Sequence, residues 1–397
     1  MRVSVIIPSF YPAKYYGGSI FATLDLYKIF SKNKDFFVYV SSTNANGKTT
    51  LKIGADGQKI IKNRFHDPGF GFNIKYYHEI IVNYLSISFL FGIWIDIYKA
   101  NVVHVQSIFS YPTPISLFIC WLLRKKVILS PRGSFANWGL VQKTTRNRKK
   151  IWIRYLISPF IKRVIWHATS KKEKTEINRL YPKAKVCIMS DGIKTDEYAN
   201  FNEQDHKSAI LRSGILPDID FANNKIILFL GRICEVKALD NLLYAFSKYK
   251  DYNSNSFLII AGDDHGFKKD LFEIIRKQKL QSDVFFTGIV HGKAKKTLYK
   301  LADLFVLPSH TENFGIVAAE ALASGLPVLA SNKTPWNNLE TMNCGKFVNN
   351  DPNSLFKGMI DIFNSDKNEL KINALEYAKF FDWNKIAEVY KKILLNM

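Results

Sequence analysis

Short apolar runs alternate with helix-period patterns along most of the chain. In the first half, apolar runs predict buried parallel strands at 3–7, 36–40, 101–105, 126–129, 164–167 and 185–189. The patterns between them predict helices over 19–31, 76–98, 114–123, 148–162 and 171–180. Strands that alternate with helices in this way indicate βαβ units, so we expect a doubly wound parallel sheet.

A second alternating set follows a polar stretch at 196–224 that has no clear period. Its predicted strands lie at 225–230, 257–261, 284–287, 304–307 and 328–330, and its predicted helices at 238–250, 268–279, 294–301 and 315–324. From residue 353 onward the pattern predicts two or three helices.

The whole pattern predicts an α/β protein with two doubly wound, Rossmann-like domains facing a cleft. We place the first domain at 1–195, the connection at 196–224 and the second domain at 225–375, with a helix at 376–397 packing back towards the first domain. Ligands of such sheets bind at the carboxyl ends of the strands.

Composition supports a globular protein of a reducing compartment. The chain has 397 residues, 47% of them apolar, which suits two domains. Its four cysteines are far apart and form no CxxC motif or Cys/His cluster, which argues against disulfides and structural zinc. Because an apolar strand follows Met1-Arg2 directly, we expect no secretory signal and a cytoplasmic location.

The charge is unevenly placed. The net charge is +22, and residues 97–172 contain 15 Lys or Arg but no Asp or Glu. The densest part, Lys143–Arg163 (hereafter the basic segment), alternates cations with aromatic and aliphatic residues. This pattern is typical of binding to an anionic membrane surface, here the inner face of the cell membrane. A plain solvated face and a nucleic-acid surface are the alternatives.

One apolar run, 80–98, has about the length of a membrane span. Asn83 and Asp96 interrupt it, and a buried strand follows within three residues. A helix in the core of the first domain is therefore the favoured interpretation.

Several charged residues follow predicted strands of the second half. Arg232 and Lys237 come just after the strand at 225–230, where two cations near a helix start can clamp a diphosphate. Glu312 and Glu320, with seven residues between them, follow the strand at 304–307 and can accept bonds from sugar hydroxyls. The structural alternatives are surface cations for the first pair and exposed or helix-stabilising carboxylates for the second.

The first half offers weaker candidates. Gly17-Gly18 opens a helix and can expose backbone amides to an anion, although paired glycines also form ordinary turns. His104 and Arg132 lie at or just past strand ends, on the acceptor or sugar side, and a lone His is more often structural. The Asp-x-Asp of residues 217–220 resembles a Mg²⁺ motif, but no strand precedes it, so we interpret it as a chance match. No Walker A loop or Ser/His/Asp set is present.

Together these motifs resemble glycosyltransferase family 4, the retaining enzymes of the GT-B fold. The resemblance covers nearly the whole chain and is most specific at 228–331, where GR(x)₄K, AGD, FTG and E(x)₇E follow in the family's order. It implies that Arg232 and Lys237 bind the donor diphosphate and that Glu320 holds the ribose. It also implies that Gly17 and Gly18 form the family's donor-binding glycine loop and that Val290 contacts the base. The residues implied to contact the donor sugar are Glu312, Asn313, Phe314 and Gly315.

The chain departs from the family pattern at three places. Ala238 stands where a glycine usually follows the clamp lysine, Asp191 replaces an asparagine in the SDGIK motif, and Arg132-Gly133 replaces a His-Gly pair. The last departure puts any role borrowed from that histidine in doubt, and resembles the bacterial surface-polysaccharide branch, such as O-antigen synthesis.

The resemblance implies a retaining, metal-independent hexosyltransferase without a cofactor. Its co-substrate would be a nucleotide sugar and its acceptor a polyprenyl-linked saccharide, with the enzyme peripheral to the membrane. A sugar-nucleotide epimerase of the same fold and a basic nucleic-acid-binding protein are the alternatives.

Overall fold

The computed structural model consists of two compact units. It describes residues 1–13, 17–47, 49–54, 56–80, 84–136, 146–202, 220–221 and 223–397. Unit 1 contains Met1–Gly192 and Trp383–Met397, and unit 2 contains Ile193–Asp382.

Unit 1 is built on a seven-stranded sheet in which every described pair of neighbours is parallel. The strand order is β5-β2-β1-β6-β7-β8-β9. The strands are β1 (Arg2–Ser9), β2 (Phe37–Thr43), β5 (Asn73–Tyr77), β6 (Val102–Gln106), β7 (Lys126–Ser130), β8 (Val164–Ala168) and β9 (Lys185–Ile188). A small antiparallel pair, β3 (Ala45–Asn46) and β4 (Thr49–Thr50), lies between β2 and β5 in the chain.

The helices of unit 1 pack on this sheet. They are α1 (Gly18–Phe30), α2 (Ile87–Lys99), α3 (Pro112–Leu122), α4 (Arg146–Ile151), α5 (Lys171–Leu180) and α13 (Trp383–Leu395). A π-helical turn at Trp152–Ile157 and a 3₁₀ turn at Ser158–Phe160 continue α4. One core cluster takes in the inner faces of α2 and α3 together with β6 to β8.

The predicted helix at 76–98 is partly wrong. The first part of that region is the end of strand β5, and the helix begins only at Ile87. Tyr76 and Tyr77 are aromatic residues with strand propensity, and they pair with β2 at the sheet edge, a tertiary contact that the helical period concealed.

Unit 2 carries a six-stranded parallel sheet in the order β12-β11-β10-β13-β14-β15. The strands are β10 (Lys225–Leu230), β11 (Ser256–Ala261), β12 (Val284–Gly288), β13 (Leu304–Leu307), β14 (Val328–Ser331) and β15 (Gly345–Val348). When the six strands are numbered in chain order, this is the 3-2-1-4-5-6 arrangement of a Rossmann sheet. Of these six strands, the sequence pattern did not predict the edge strand β15.

The helices of unit 2 cover both faces of its sheet, where two buried clusters lie. They are α6 (Thr195–Ala199), α7 (Leu239–Tyr252), α8 (Lys268–Lys277), α9 (Gly292–Leu301), α10 (Ile316–Ala323), α11 (Pro352–Phe363) and α12 (Lys367–Ala378). Two doubly wound α/β domains are therefore confirmed.

The unit boundaries differ from the predicted domain boundaries. The chain passes from unit 1 to unit 2 at Gly192/Ile193, so α6 and the described part of 196–224 belong to unit 2. Residues 203–219 and 222 of the predicted connection lie outside the described residues, as does most of the Asp-x-Asp motif. The chain returns to unit 1 at Trp383, where a Cβ on Gly192 would lie 2.4 Å from the Trp383 ring.

No helix in the described ranges combines the length and the apolar character needed to cross a bilayer.

Candidate functional site

The candidate site of unit 2 lies where the strand order reverses, between β10 and β13. The loops that leave these two neighbouring strands run in opposite directions along the sheet, which opens a crevice at their carboxyl ends. The β10 loop carries Arg232 and Lys237, and the β13 loop carries Glu312 to Gly315. The topology therefore brings together the two motifs that the sequence analysis singled out separately.

The β10 loop is held against the end of β11 by backbone contacts. The Gly231 amide donates to the Ala261 carbonyl at 2.9 Å, and the Ile233 amide to the Asp263 carbonyl at 2.8 Å. A Cβ on Gly262 would lie 1.7 Å from the Gly231 oxygen, so only glycine permits this approach. The AGD motif, Ala261 to Asp263, thus fixes the position of the β10 loop that carries Arg232 and Lys237.

A 3₁₀ turn at Glu235–Lys237 ends in Ala238, which precedes α7. Ala238 is fully buried and adopts the left-handed conformation, with φ 50°. This conformation explains why a glycine is expected here, because it costs other residues roughly 1–2 kcal/mol. The helix nevertheless begins at the next residue.

Lys237 and Glu312 form an ion pair across the two loops. The Lys237 Nζ lies 2.5 Å from the Glu312 Oε2, and both side chains are more than four-fifths buried. Arg232 is exposed, and its guanidinium has no hydrogen bond or ion pair with any residue that the structure describes. An ordered ammonium beside an unpaired guanidinium can receive the two phosphates of a nucleoside diphosphate.

The β13 loop leads into α10 through a left-handed glycine. Gly315 has φ 81° and ψ 61°, and a Cβ there would crowd Glu312 and Trp336. Phe314 is buried, and its carbonyl accepts a bond of 2.7 Å from the Trp336 indole. Asn313 is half-buried beside it. The first-turn amides of α10 therefore begin next to the Glu312 carboxylate, where they can bind an anion or a sugar oxygen.

Glu320 lies inside α10 and is nearly buried. Its Oε1 accepts bonds from the Lys295 ammonium at 2.5 Å and the Tyr198 hydroxyl at 2.8 Å, and its Oε2 accepts one from Tyr299 at 2.9 Å. Burial and the adjacent Glu320 carboxylate raise the pKa of Tyr299 well above its usual value, which keeps its hydroxyl a donor. The sequence analysis missed all three partners, which come from α6 and α9 and share no motif with Glu320.

Val290 does not occupy the position expected of a base-contacting residue. It is only 7% exposed and belongs to the core cluster under α9 and α10, whereas its neighbour Ile289 is exposed. The apolar side chain is taken into the core as the chain enters α9.

The backbone conformation at the start of α1 explains why a glycine stands at position 17. Gly17 caps α1 with φ 77° and ψ −145°, a combination that other residues rarely adopt, and open space surrounds the position of its missing Cβ. Gly18 is exposed at the first turn of α1. Their contact with a donor stays a prediction.

His104 lies within β6 rather than at its end, and it is completely buried. Its Nδ1 lies 2.6 Å from the Tyr27 hydroxyl and 2.8 Å from that of Tyr390, while its Nε2 lies 2.7 Å from the Ser130 Oγ. Both ring nitrogens are therefore occupied inside unit 1. The acceptor-side role predicted for His104 finds no support in this geometry.

Arg132 is also turned inward. Its Nη1 lies 2.5 Å from the Asp191 Oδ1, and its Nε donates to the Gln106 Oε1 at 3.2 Å. The next residue, Gly133, donates its amide to the buried Glu173 carboxylate at 2.7 Å. The guanidinium predicted for an anionic ligand thus already has a carboxylate partner.

In the described part of the chain, no three His, Cys, Asp or Glu side chains come together in a way that could hold a metal ion.

The comparison with known proteins agrees with this geometry. Residues 218–379 match the family described as glycosyl transferases group 1. The chain superposes on a crystal structure of Anabaena Alr3699/HepE in complex with UDP and glucose, with a TM-score of 0.72 at 16% identity. The superposition covers 100% of both chains. It also superposes on WaaG, a glycosyltransferase involved in lipopolysaccharide biosynthesis, with a TM-score of 0.69 at 15% identity over 98% and 99% of the two chains.

The chain has the GT-B fold.

Several curated relatives of this GT-B chain are named as glycosyltransferases. It is 30% identical over 63% of its length to an uncharacterised protein in the cps region of Klebsiella pneumoniae, of which it covers 66%. It is 26% identical over 70% of its length to the GDP-mannose:cellobiosyl-diphosphopolyprenol alpha-mannosyltransferase of Komagataeibacter xylinus, of which it covers 67%. An uncharacterised glycosyltransferase of Methanocaldococcus jannaschii is 34% identical over 38% of this chain. The chain spans 43% of that relative and 26% of a Streptococcus pneumoniae alpha-monoglucosyldiacylglycerol synthase.

The matched region of this GT-B chain contains the charged motif residues of the unit 2 site. Arg232, Lys237, Glu312 and Glu320 all lie within 218–379. Gly17, His104 and Arg132 lie outside it.

Proposed function

We propose that the protein is a retaining glycosyltransferase of family 4 that transfers a hexose from a nucleoside diphosphate donor to a lipid-linked saccharide. The observation that carries this proposal is the Lys237–Glu312 pair beside the unpaired Arg232, at the point where the strand order of unit 2 reverses. A cationic pair for phosphates and a carboxylate for sugar hydroxyls are the groups that such a donor requires.

The reaction breaks the bond between the anomeric carbon and the diphosphate oxygen. Negative charge develops on the leaving diphosphate, and Arg232, Lys237 and the first-turn amides of α10 are positioned to stabilise it. We assign the whole of this stabilisation to these groups, without a metal ion or another cofactor. Glu312 orients the Lys237 ammonium and accepts bonds from the donor sugar.

The acceptor hydroxyl then forms the new bond to the anomeric carbon on the face that the diphosphate leaves. Its proton passes to the departing phosphate oxygen, so the charges balance and the anomeric configuration is retained. Glu320 is assigned to the ribose of the nucleotide, with its carboxylate held in place by Lys295 and Tyr299.

We assign the acceptor to the polyprenyl-linked class used in surface-polysaccharide synthesis, at the cytoplasmic face of the membrane. Two features support this choice: the basic segment, and the relatives named for a cps region and for a diphosphopolyprenol acceptor. Residues 143–145 of the basic segment lie outside the described residues, and the rest forms α4 and the turns that continue it.

Donor binding tests the proposal most directly. Thermal unfolding is measured with UDP, GDP, ADP and their sugars, because a ligand at 100 times its Kd stabilises by about 2.7 kcal/mol. We expect one nucleoside diphosphate series to raise the Tm of the native chain but not that of Arg232→Ala/Lys237→Ala, with Lys346→Ala as the control.

No shift with any nucleotide would overturn the proposal. Conversion of the sugar nucleotide to an epimer without an acceptor would favour the epimerase alternative. A radiolabelled sugar that moves to the lipid fraction would support the transferase.

A further inference from the structure

Helix α2 presents an apolar stripe to solvent. The stripe follows the helical period along one face and consists of Ile87, Leu90, Phe91, Ile95 and Tyr98. Phe91 is 73% exposed and Tyr98 is 69% exposed. The opposite face of the same helix is buried in the core of unit 1. The helix is thus apolar on both sides, although within the described residues only its inner side is covered by the core of unit 1.

Helix α3 extends this stripe. Its exposed residues Phe118, Trp121 and Leu122 also follow the helical period, and Trp94 of α2 meets the Phe118 ring edge-on at 6.4 Å. Phe118 and Trp121 both contact the Phe160 ring, at 5.6 Å and 6.0 Å. We call the exposed residues of α2 and α3 together the aromatic face. A surface of this kind on a single chain marks an interaction site.

Apart from the buried Asp96, the charged residues nearest to α2 and α3 in the chain are cations. Cations flank both helices, at Lys99 and at Arg124 to Lys126, and the basic segment follows α3 through the Phe160 contact. Asp96, the last acid before the acid-free window of 97–172, is buried and its Oδ1 lies 2.6 Å from the Lys75 Nζ. Along the chain, the aromatic face is therefore bordered by a cationic rim at Lys99 and Arg124 to Lys126.

Charge complementarity selects the occupant. Apolar side chains beside aromatic rings and cations match the boundary between acyl chains and anionic headgroups of a bilayer. A second copy of this chain, docked by the same face, would bring two cationic rims together. A phosphate backbone would leave Ile87, Leu90 and Ile95 without an apolar partner.

We propose that the aromatic face inserts into the headgroup region of an anionic bilayer while the basic segment binds its phosphates. This deepens the proposed function, since it names the surface that would bring the enzyme to a lipid-linked acceptor. The aromatic face lies on different helices from the basic segment and makes a different contribution. It supplies apolar burial, which salt does not screen, whereas the cations supply attraction that salt weakens.

Vesicle flotation tests the proposal. The full chain is floated with vesicles of phosphatidylcholine alone and with vesicles that also contain phosphatidylglycerol, at low and at high salt. The test variant is Phe91→Ser/Trp121→Ser, and the matched control is Ile372→Ser, an apolar residue of α12 in unit 2 that is 61% exposed. All three positions are exposed, so the substitutions should leave the fold intact.

We expect the native chain and the control to float with the anionic vesicles. The double variant should lose about tenfold or more in vesicle affinity at both salt concentrations, because it loses the burial of two large apolar side chains, which salt does not screen. Flotation of the double variant equal to that of the native chain would overturn the proposal.

A second measurement reports insertion itself. Brominated lipids should quench Trp fluorescence of the vesicle-bound chain, and Trp121→Phe should remove most of the quenching. Equal quenching in Trp121→Phe would contradict insertion of this face. A native dimer that Phe91→Ser/Trp121→Ser converts to a monomer, or DNA retention that this variant loses, would assign the face to a second copy or to nucleic acid instead.

The nucleotide-induced Tm shift separates this proposal from the proposed function. Phe91→Ser/Trp121→Ser should keep the full shift. A chain that floats normally but shows no shift would overturn the transferase and leave the membrane surface standing.

Discussion

Arg132 and Asp191 form a buried ion pair, with the Arg132 Nη1 2.5 Å from the Asp191 Oδ1 and only 9% of each side chain exposed. Each residue departs from the pattern of the family that the sequence resembles, in which many members have a histidine at the first position and an asparagine is common at the second. The two departures are 59 residues apart in the chain and meet in space. The sequence shows them as separate oddities, whereas the structure shows that the charge of one compensates the charge of the other.

A double-mutant cycle tests this compensation. Asp191→Asn should lower the free energy of unfolding of unit 1 by about 3 kcal/mol, because it leaves the Arg132 charge buried and unpaired. Arg132→His should also lower the free energy of unfolding, because it leaves the Asp191 carboxylate buried without the Arg132 charge. The double variant, which restores the family pair, should be more stable than the sum of the two losses predicts, as measured by urea unfolding. Strictly additive losses would show that the two residues do not compensate each other.

The assignment of Arg232 and Lys237 to the donor diphosphate predicts that Lys237→Ala slows sugar transfer. Turnover should fall by about two to three orders of magnitude, because the leaving diphosphate loses a cation that acts in the transition state. Circular dichroism should change little, because the side chain lies in a loop outside the core clusters, but the Tm without ligand should fall, because the variant leaves the Glu312 carboxylate without its cation. The rate of sugar transfer from a labelled donor is the measurement.

Lys346→Ala provides the control for the clamp. Lys346 lies 4.0 Å from Asp361 in an exposed ion pair of the same unit. Its loss should leave turnover unchanged. Near-normal activity of Lys237→Ala would refute the clamp assignment.

The fold could be predicted from the sequence wherever the spacing of hydrophobic residues in a segment fits a strand or a helix but not both. The buried strands of both sheets are continuous apolar runs, and β10 and β13 were predicted to the residue. Strand β5 failed because its aromatic residues also fit the helical period of the run that follows. Strand β15 failed because it is short and lies at the sheet edge, so three of its four residues are only half-buried.

The site was predictable only where its residues lie in one motif. Arg232 and Lys237 share one loop, and Glu312 and Glu320 share one motif that runs from the β13 loop into α10, so spacing indicated them. Lys295, Tyr198 and Tyr299 reach Glu320 from other helices, and pattern within a segment carries no information about such contacts. The inward direction of the His104 and Arg132 side chains could not be predicted for the opposite reason: a strand end identifies a position in the chain but not the direction of a side chain.

Two adjacent lysines of α9 separate a positioning role from a surface charge. Lys295 lies 2.5 Å from Glu320, whereas Lys296 pairs with the half-exposed Glu197 at 2.9 Å. If Glu320 holds the ribose, Lys295→Met should weaken nucleoside diphosphate binding about tenfold, since Glu320 loses the donor that orients it. Lys296→Met should leave binding unchanged. Isothermal titration of both variants makes the comparison, and equal affinities would refute the positioning role.

A buried chain of hydrogen bonds in unit 1 requires neutral histidines. The His167 Nε2 can only donate to the Met189 carbonyl at 2.8 Å, so its Nδ1 accepts from the Ser130 hydroxyl at 2.6 Å. Ser130 in turn accepts from the His104 Nε2, and the His104 Nδ1 accepts from a tyrosine hydroxyl. A proton added to either ring removes an acceptor and reverses one of these bonds.

Stability should therefore fall in acid. Burial and, to a smaller extent, the nearby Arg132 charge lower the pKa of His167 from 6.5 to about 4, against the opposing effects of the Met189 carbonyl and Asp191. Burial likewise lowers the pKa of His104, with His167 and Arg132 adding to the effect. Between about pH 4 and 6.5 the unfolded chain binds more protons than the folded one, so stability rises with pH through this window and is complete above it. His167 alone should account for roughly 3 kcal/mol.

Urea unfolding of unit 1 at about pH 7.5 and about pH 5 measures this dependence. His167→Gln should reduce the difference between the two, because its amide can still donate to Met189 and accept from Ser130 but cannot take up a proton. His66→Gln is the control, since the His66 side chain is 55% exposed and lies outside the chain of bonds. An unchanged pH dependence in His167→Gln would show that the acid sensitivity arises elsewhere. A reduced dependence would identify the buried histidines as a source of the acid sensitivity.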